Sequence, residues 1–367
     1  MSAIVNLKPV SECAFDVVAL GEIMLRLDPR EHRIRTARSF DVWDSGAEYN
    51  VARALHKTFG LRGAIVTAWA DNEIGRLAEN IVSMSGLDMR FVHWAPFDGI
   101  GRASRNGLNF SERGFGVRGA VGCVDRANTA ISQLRPADVD LIELFDALGT
   151  RWFHTGGIMA GLSAQAAETT EAFMRMAKAS GAAVSYDLNY RPSLWAAGGG
   201  LQSCQAVNRR LVGLADVVFG NEEDYSTCLG LPAPADASYS DLDVDAYETL
   251  VRRVTDDFPN LSAVAVSLRQ VRSATRNDWG GLGWCARDGF VHATWREDLE
   301  VFDRLGGGDS FASGVLYGLT EFDDLTRGLE YGAANGALAM TTPGDTTTAT
   351  LAEVEKLAGG GSARVQR

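Results

Sequence analysis

The stretch Asp303-Arg304-Leu305-Gly306-Gly307-Gly308-Asp309 sets three consecutive glycines against an aspartate, just ahead of an apolar run of small residues. Glycines in a row cost backbone entropy when the chain orders, so the arrangement needs a compensating role. Without Cβ atoms, Gly306, Gly307 and Gly308 let backbone N–H groups converge on one point. Phe311, Val315, Leu316 and Leu319 share one face of a helix starting here, and the positive end of its dipole points the same way. These features describe a phosphate site. Asp309 falls in the first turn of that helix, where a bound phosphate repels its carboxylate unless the carboxylate has chemistry to do. Accepting the proton of an alcohol that attacks phosphorus is such chemistry. The same residues also permit a tight turn followed by a capping aspartate and nothing more. The chain carries no GxxxxGK[ST], which excludes a P-loop. It has no GxGxxG after its first strand, which weighs against a dinucleotide-dependent oxidoreductase.

Further polar signals stand at the ends of apolar runs. "VVALGEIMLRL" (17–27) runs into Gly21 and Glu22, and "SGAEYNVARAL" (45–55) puts Gly46 at a turn and Asn50 in the first turns of a helix. "YDLNYRPSLW" (186–195) ends a strand with Asp187, Asn189 and Arg191, and "GNEEDY" (220–225) ends the next with acids. His154 lies within an apolar strand and reads as a core histidine. The elements that must carry these residues alternate. Candidate strands are 16–20, 64–69, 151–157, 182–188, 216–220 and 263–268, nearly continuous apolar runs suited to a parallel sheet covered on both faces. Helical patterns lie between them, at 47–59, at 163–181 behind a serine cap, and at 244–257. Alternating βα units imply a doubly wound three-layer α/β/α sandwich with a mostly parallel central sheet. Residues 24–44 and 90–132 break the rhythm with glycines, arginines and alternation, and are expected to form a small β-sheet lid over one end. Trp43, Phe110 and Phe115 would pack between the lids of two copies or form the lid's own core.

Composition sets the outer bounds. The 367 residues are 46% hydrophobic and 22% charged, with a net charge of −12, which disfavours nucleic acid and anionic membranes as partners. Five scattered cysteines without a CxxC pair argue for free thiols and against a disulfide framework or zinc cluster. There is no 18-residue apolar run and no basic-then-apolar leader pattern, so a cytoplasmic protein is expected. One domain is expected over 14–358, with a polar insertion at 231–243 and a disordered tail at 359–367.

In their order and separation these segments resemble the ribokinase-like (PfkB) family of carbohydrate kinases over roughly residues 15–358. The late motif of that family is usually Asp-Thr-x-Gly-Ala-Gly-Asp. Here Arg304 replaces threonine and Gly307 replaces alanine, while the glycine–aspartate frame stands. "GEIMLRL", "GAEYNVA" and "DLNYRPSLW" are most similar to 2-keto-3-deoxygluconate kinases.

The resemblance implies phosphoryl transfer from ATP to a hydroxyl of a sugar acid, with Asp309 as base and residues 306–308 cradling the phosphate. It implies Gly46, Asn50, Arg126 and Arg191 at the sugar. Asn189, Arg191, Asn221, Ser267, Arg269, Gly306, Gly308 and Asn335 are implied at the nucleotide. Asn221 and Asp224 match the Asn-x-x-Glu motif that organises Mg²⁺ through water, with Asp224 one methylene shorter than the usual glutamate. A monovalent cation is a further candidate, as is a homodimer built through the lid. The family's Tyr-Tyr-Arg-x-x-Ser-Ala lid segment corresponds to residues 124–130, where Arg126 is kept and both tyrosines are absent. Arg105, Arg113 and Arg118 stand nearby as further readers of an acid, or as a solvated basic hairpin. Two other readings stay open: a kinase for a neutral sugar or nucleoside, and a catalytically silent sugar- or nucleotide-binding protein.

Overall fold

The computed structural model describes residues 2–196, 198–232 and 244–361, so most of the expected insertion and tail lies outside the described residues. The strands are β1 (Phe15–Leu20), β2 (Met24–Asp28), β3 (Asp41–Ser45), β4 (Gly63–Ala70), β5 (Asp88–Ala95), β6 (Leu108–Glu112), β7 (Val121–Asp125), β8 (Thr150–Gly156), β9 (Ala183–Asp187), β10 (Val217–Gly220), β11 (Ala263–Ser273), β12 (Arg276–Cys285), β13 (Gly289–His292) and β14 (Arg296–Glu300). The helices are α1 (Ala47–Lys57), α2 (Glu73–Ser83), α3 (Gly157–Gly161), α4 (Ala164–Ala179), α5 (Pro192–Ala196), α6 (Gly200–Val212), α7 (Glu222–Leu229), α8 (Val244–Asp257), α9 (Gly307–Glu321), α10 (Leu325–Ala339) and α11 (Leu351–Ala358).

All six expected strands enter one sheet of order β13-β12-β11-β10-β9-β8-β1-β4-β5, with β14 also on β12. From β5 through β11 every pairing is parallel, and β12 adds antiparallel pairs at one edge. The alternation of strand side chains divides the apolar core between the two faces. Val18, Leu20, Val218, Val264 and Val266 join one buried cluster, while Val17, Val217, Phe219, Ala263 and Ala265 join another. This is the α/β sandwich that the pattern implies.

The lid is a second sheet of order β3-β2-β6-β7. Its extent differs from the expectation at one place. Residues 90–95 belong to β5, an edge strand of the main sheet paired in parallel with β4. Their apolar and aromatic residues cover that edge, and lid strands resume only at Leu108. Phe40 meets Phe110 edge-on at 5.5 Å, so Phe110 packs within the lid, whereas Phe115 is 74% exposed. Ahead of residue 14 the chain still packs on the sandwich, with Ile4 and Val5 buried and the Ile4 N–H donating to Asp323.

The small residues of α9 have a packing cause. A Cβ on Gly314 would lie 2.4 Å from the Gly332 nitrogen, and one on Gly318 would lie 2.2 Å from the Gly328 Cα. The backbones of α9 and α10 therefore touch, and α9 is held rigidly where its first turn meets the carboxyl ends of the strands. No helix among the described residues is long and apolar enough to cross a membrane.

Candidate active site

Two clefts open at the carboxyl ends of the central strands, where α/β sheets bind ligands. One, of about 460 Å³, lies under the lid and is lined by Gly46, Asn50, Arg126 and Asp309 among others. The other, of about 680 Å³, is lined by Gly307, Gly308, Asn221, Asp224, Ser267 and Arg269 among others. Asn189, Arg191, Leu305 and Gly306 line both. The glycine turn is thus the partition between them, with Asp309 facing the lid side.

The turn forms for local reasons. Gly306 caps α9 with φ +75, a left-handed conformation that L side chains rarely adopt, and a Cβ there would lie 1.7 Å from the Asp345 carbonyl oxygen. Gly307 and Gly308 are not forced by the protein around them: added Cβ atoms would meet ordinary contacts at 307 and open space at 308. Their lack of side chains leaves that wall of the cleft bare.

Beneath the turn lies a charge network that sequence reasoning missed. Arg26 of β2, fully buried, donates to Asp303 at 2.6 Å and to Asp345 at 2.5 Å. Asp345 also accepts the Ser45 hydroxyl. One guanidinium therefore ties the lid to the aspartate that opens the glycine motif. The available signal was an arginine between apolar residues of the strand "MLRLD", whose burial requires acid partners.

Asp309 occupies the third position of α9. The Asn50 amide Nδ2 donates to its Oδ2 at 2.7 Å, and the Asn50 Oδ1 is buried without a partner, an acceptor left for a ligand. Burial raises the Asp309 pKa to about 7 from the ordinary 3.8, with Asp345 and Glu48 adding to the rise while Asn50 and Arg191 oppose it. Two more carboxyls share this environment. Burial raises Asp187 to about 8, helped by Asp224 and Asp309, and raises Glu48 to about 7. Glu48, not singled out from sequence, sits under Gly21 and Gly156 and accepts from the Met159 N–H at 3.3 Å. His154 is a core residue as expected, bonded to Ser185 at 2.9 Å, and burial pushes its pKa down to about 3.

Gly46 precedes α1 where a Cβ would collide with the Glu22 carbonyl at 2.2 Å, so only glycine fits this wall of the lid cleft. Arg191 reaches both clefts, donates to the Tyr190 carbonyl, and acts by its charge on Asp187, Asp224 and Asp309. Asn221 and Asp224 form a reciprocal cap of α7: each side chain accepts the other's backbone N–H at 2.9 Å, and Asp224 also accepts from Tyr190. Among the described residues no group of three or more metal-binding side chains gathers.

Two expectations change. Asn335 is not at the nucleotide cleft. It is fully buried between α9 and α10, donating to the Ser310 carbonyl and the Ser313 hydroxyl and accepting from Thr347. The lid arginines are not free charges either. Arg126 pairs with buried Glu22 at 3.0 Å, Arg105 with Asp125, Arg113 with Asp28 and Arg118 with Glu112, because the lid supplies its own acids. Arg126 alone of these lines the lid cleft.

No family model matches the chain. It is 31% identical over 355 residues to a 2-dehydro-3-deoxygalactonokinase of Haloferax volcanii, covering 96% of this chain and 99% of the relative. It is 24% identical to a 5-dehydro-2-deoxygluconokinase of Shouchella clausii, over 94% of this chain and 95% of that one. Among solved structures, a 2-dehydro-3-deoxygluconokinase from Thermotoga maritima aligns with a TM-score of 0.84 and 34% identity, covering 94% of this chain and 99% of that one. A PfkB family carbohydrate kinase from Listeria grayi aligns with a TM-score of 0.81 and 25% identity, again over 94% and 99%. With a glycine turn dividing two clefts and full-length similarity to these enzymes, the chain belongs to the ribokinase-like PfkB family of carbohydrate kinases.

Proposed function

We propose that this protein is an ATP-dependent kinase that phosphorylates a hydroxyl of a keto-deoxy sugar acid, of the 2-dehydro-3-deoxygluconate or 2-dehydro-3-deoxygalactonate type. The observation that carries the reading is the partition: Gly306 lines both clefts, with Asp309 on the lid side and Gly307 and Gly308 on the other. An acceptor under the lid and a nucleotide opposite would meet across the N-terminus of α9.

The residues divide the work. Asn50 orients the Asp309 carboxylate, and Asp309 takes the hydroxyl proton as the oxygen attacks phosphorus. A base with its pKa near 7 suits that transfer at neutral pH. The backbone N–H groups behind Gly306 and the Arg191 guanidinium stabilise charge gathering on the transferring group. Gly46, Asn50 and Arg126 orient the acceptor. Asn189, Ser267 and Arg269 line the nucleotide cleft. The lid covers the acceptor and limits transfer to water.

The donor set fits Mg²⁺ in its usual form, held by few protein carboxylates, waters and substrate phosphates rather than by a protein cage. Asn221, Asp224 and the adjacent Glu222 and Glu223 face that cleft and would hold its water shell. When bound, the ion neutralises phosphate charge. A monovalent cation is a candidate activator, tested by exchanging potassium for tetramethylammonium in the assay.

The domain takes in 14–358 together with the preceding residues that pack on the sandwich, and the protein works in the cytoplasm as a homodimer through the lid. Every residue of β7 is exposed at an open sheet edge, with Val121 and Val124 among them. Light scattering on the purified protein tests the dimer.

An ADP-release assay over keto-deoxy sugar acids, fructose, ribose and nucleosides tests the activity. Saturation with the acids supports the proposal. Saturation only with neutral acceptors assigns a different substrate, and ATP binding without product across the panel removes the catalytic reading.

A further inference from the structure

Arginines in this chain commonly sit against carboxylates. In the groove beside the glycine turn, of about 350 Å³, Arg113 pairs with Asp28 at 3.3 Å and Arg272 with Asp278 at 2.8 Å. Arg304 lines the same groove and also the nucleotide cleft, and among the described residues it has no carboxylate at ion-pairing distance and no hydrogen-bond partner. Arg269 of β11 lines the nucleotide cleft in the same condition.

These two guanidinia face each other's charge. Arg269 is exposed at the cleft, yet desolvation by the protein around it lowers its pKa, and the Arg304 charge lowers it further, against the pull of Glu222. Like charges brought into one cleft, with no acid at ion-pairing distance from either, repel. A bound anion placed between them reverses the sign. The backbone explains how Arg304 reaches this position: Asp303 turns inward to Arg26, while the next residue is exposed. The buried pair fixes the segment, and the exposed arginine stands on it.

We infer that Arg304 and Arg269 form a two-arginine clamp for the polyphosphate of the nucleotide, holding the phosphates that lie beyond the glycine turn. Arg304 does not line the acceptor cleft, so its ligand is the nucleotide and not the carboxylate of the sugar acid. Planar guanidinium donors suit phosphate oxygens, and two of them fix orientation as well as charge. The clamp also offsets the acids of this cleft, Asp187, Glu222, Glu223 and Asp224, which would otherwise repel the phosphates. The substitution of arginine for the threonine usual in the family motif thus acquires a use in this chain.

This inference rests on the kinase reading. The test uses the full-length protein and the variants Arg304→Ala, Arg304→Glu and Arg269→Ala. Binding of ATP and of inorganic tripolyphosphate is measured by calorimetry, alongside steady-state kinetics with both substrates varied. Arg304→Ala is expected to weaken both ligands about tenfold or more, the scale of a lost charge-assisted bond. KM for ATP should rise while KM for the sugar acid stays within about twofold. Arg304→Glu is expected to lose tripolyphosphate binding and to raise the melting temperature of the ligand-free protein, because it pairs with Arg269. A purely structural Arg304 would not give that opposite movement. Unchanged ATP and tripolyphosphate affinity in Arg304→Ala, with wild-type protein active, overturns the clamp alone. A wild-type protein that neither binds nor consumes ATP overturns the kinase reading and the clamp with it.

Discussion

The Asn50 amide lies 2.7 Å from Asp309 Oδ2, a hydrogen bond across 259 residues of chain. It joins the first helix of the sandwich to the glycine turn near its end, and fixes which carboxylate oxygen remains for an incoming hydroxyl. The carboxylate proposed as base is therefore oriented before any ligand arrives, which would lower the reorganisation needed for transfer.

Replacing Asp309 by asparagine should lower turnover by at least ~10²-fold in an ADP-release assay, the usual scale for a lost general base. Stability should move the other way. The folded pKa of about 7 exceeds the free value of 3.8, so the folded state holds a proton that the unfolded state has already released. Wild-type stability from this group is therefore present at low pH and lost as pH rises through 7. In urea titrations the stability advantage of Asp309→Asn should grow from pH 4 to 7 and level off above. An active variant, or an advantage that shrinks with rising pH, would remove Asp309 from the role given it.

Asn50→Ala tests the orienting bond. Asn50 lowers the Asp309 pKa against the larger rise caused by burial, so its loss should move the acid limb of the kcat/KM profile upward. A hydrogen bond to a charged group, about 1.5–3 kcal/mol, sets the scale at about 1–2 pH units. A lower kcat with an unmoved limb would mean that Asn50 holds the sugar without touching the base.

The glycines of the turn should separate. Gly306→Ala places a Cβ 1.7 Å from the Asp345 carbonyl at φ +75, so thermal stability and activity should fall together. Gly308→Ala meets open space, so its melting temperature should stay within a degree or two while turnover falls. Wild-type kinetics in Gly308→Ala would take this residue out of the phosphate cradle.

Arg26→Met should destabilise by about 3–5 kcal/mol in denaturant unfolding, since Asp303 and Asp345 would be left buried without their cation. Combining Arg26→Met with Asp303→Asn and Asp345→Asn should recover much of the loss, because those two carboxylates are then no longer stranded and Asp28 keeps Arg113. A loss below about 1 kcal/mol in the single variant would show that the network contributes little.

The sheet and the aspartate proposed as base were legible in the chain for one reason: both signals are local. Runs such as "DVVAL" and "AVAVSL" carry their burial in their own composition, and a glycine turn with an aspartate three residues into a helix carries its dipole and its geometry in adjacent positions. The lid segments were visible as breaks in the helix rhythm, but residues 90–95 looked like the glycine- and arginine-rich segment that follows them. Their place at the edge of the main sheet depends on pairing with β4, which no local pattern states.

What the tertiary structure alone decided are the partners. Whether Arg126 is free or tied to Glu22, whether Asn335 faces a nucleotide or the seam between two helices, and whether Arg26 is strand filler or the pin beneath the turn all depend on groups far away in sequence. A charge is costly to bury without a counter-charge, so its role follows from which opposite group folding brings within reach. Sequence by itself marked the parallel strands of the sheet apart from β5, and the aspartate proposed as base. Only the fold decided which arginines stand against an acid, as Arg26 and Arg126 do, and which, Arg269 and Arg304 among them, have none at ion-pairing distance among the described residues.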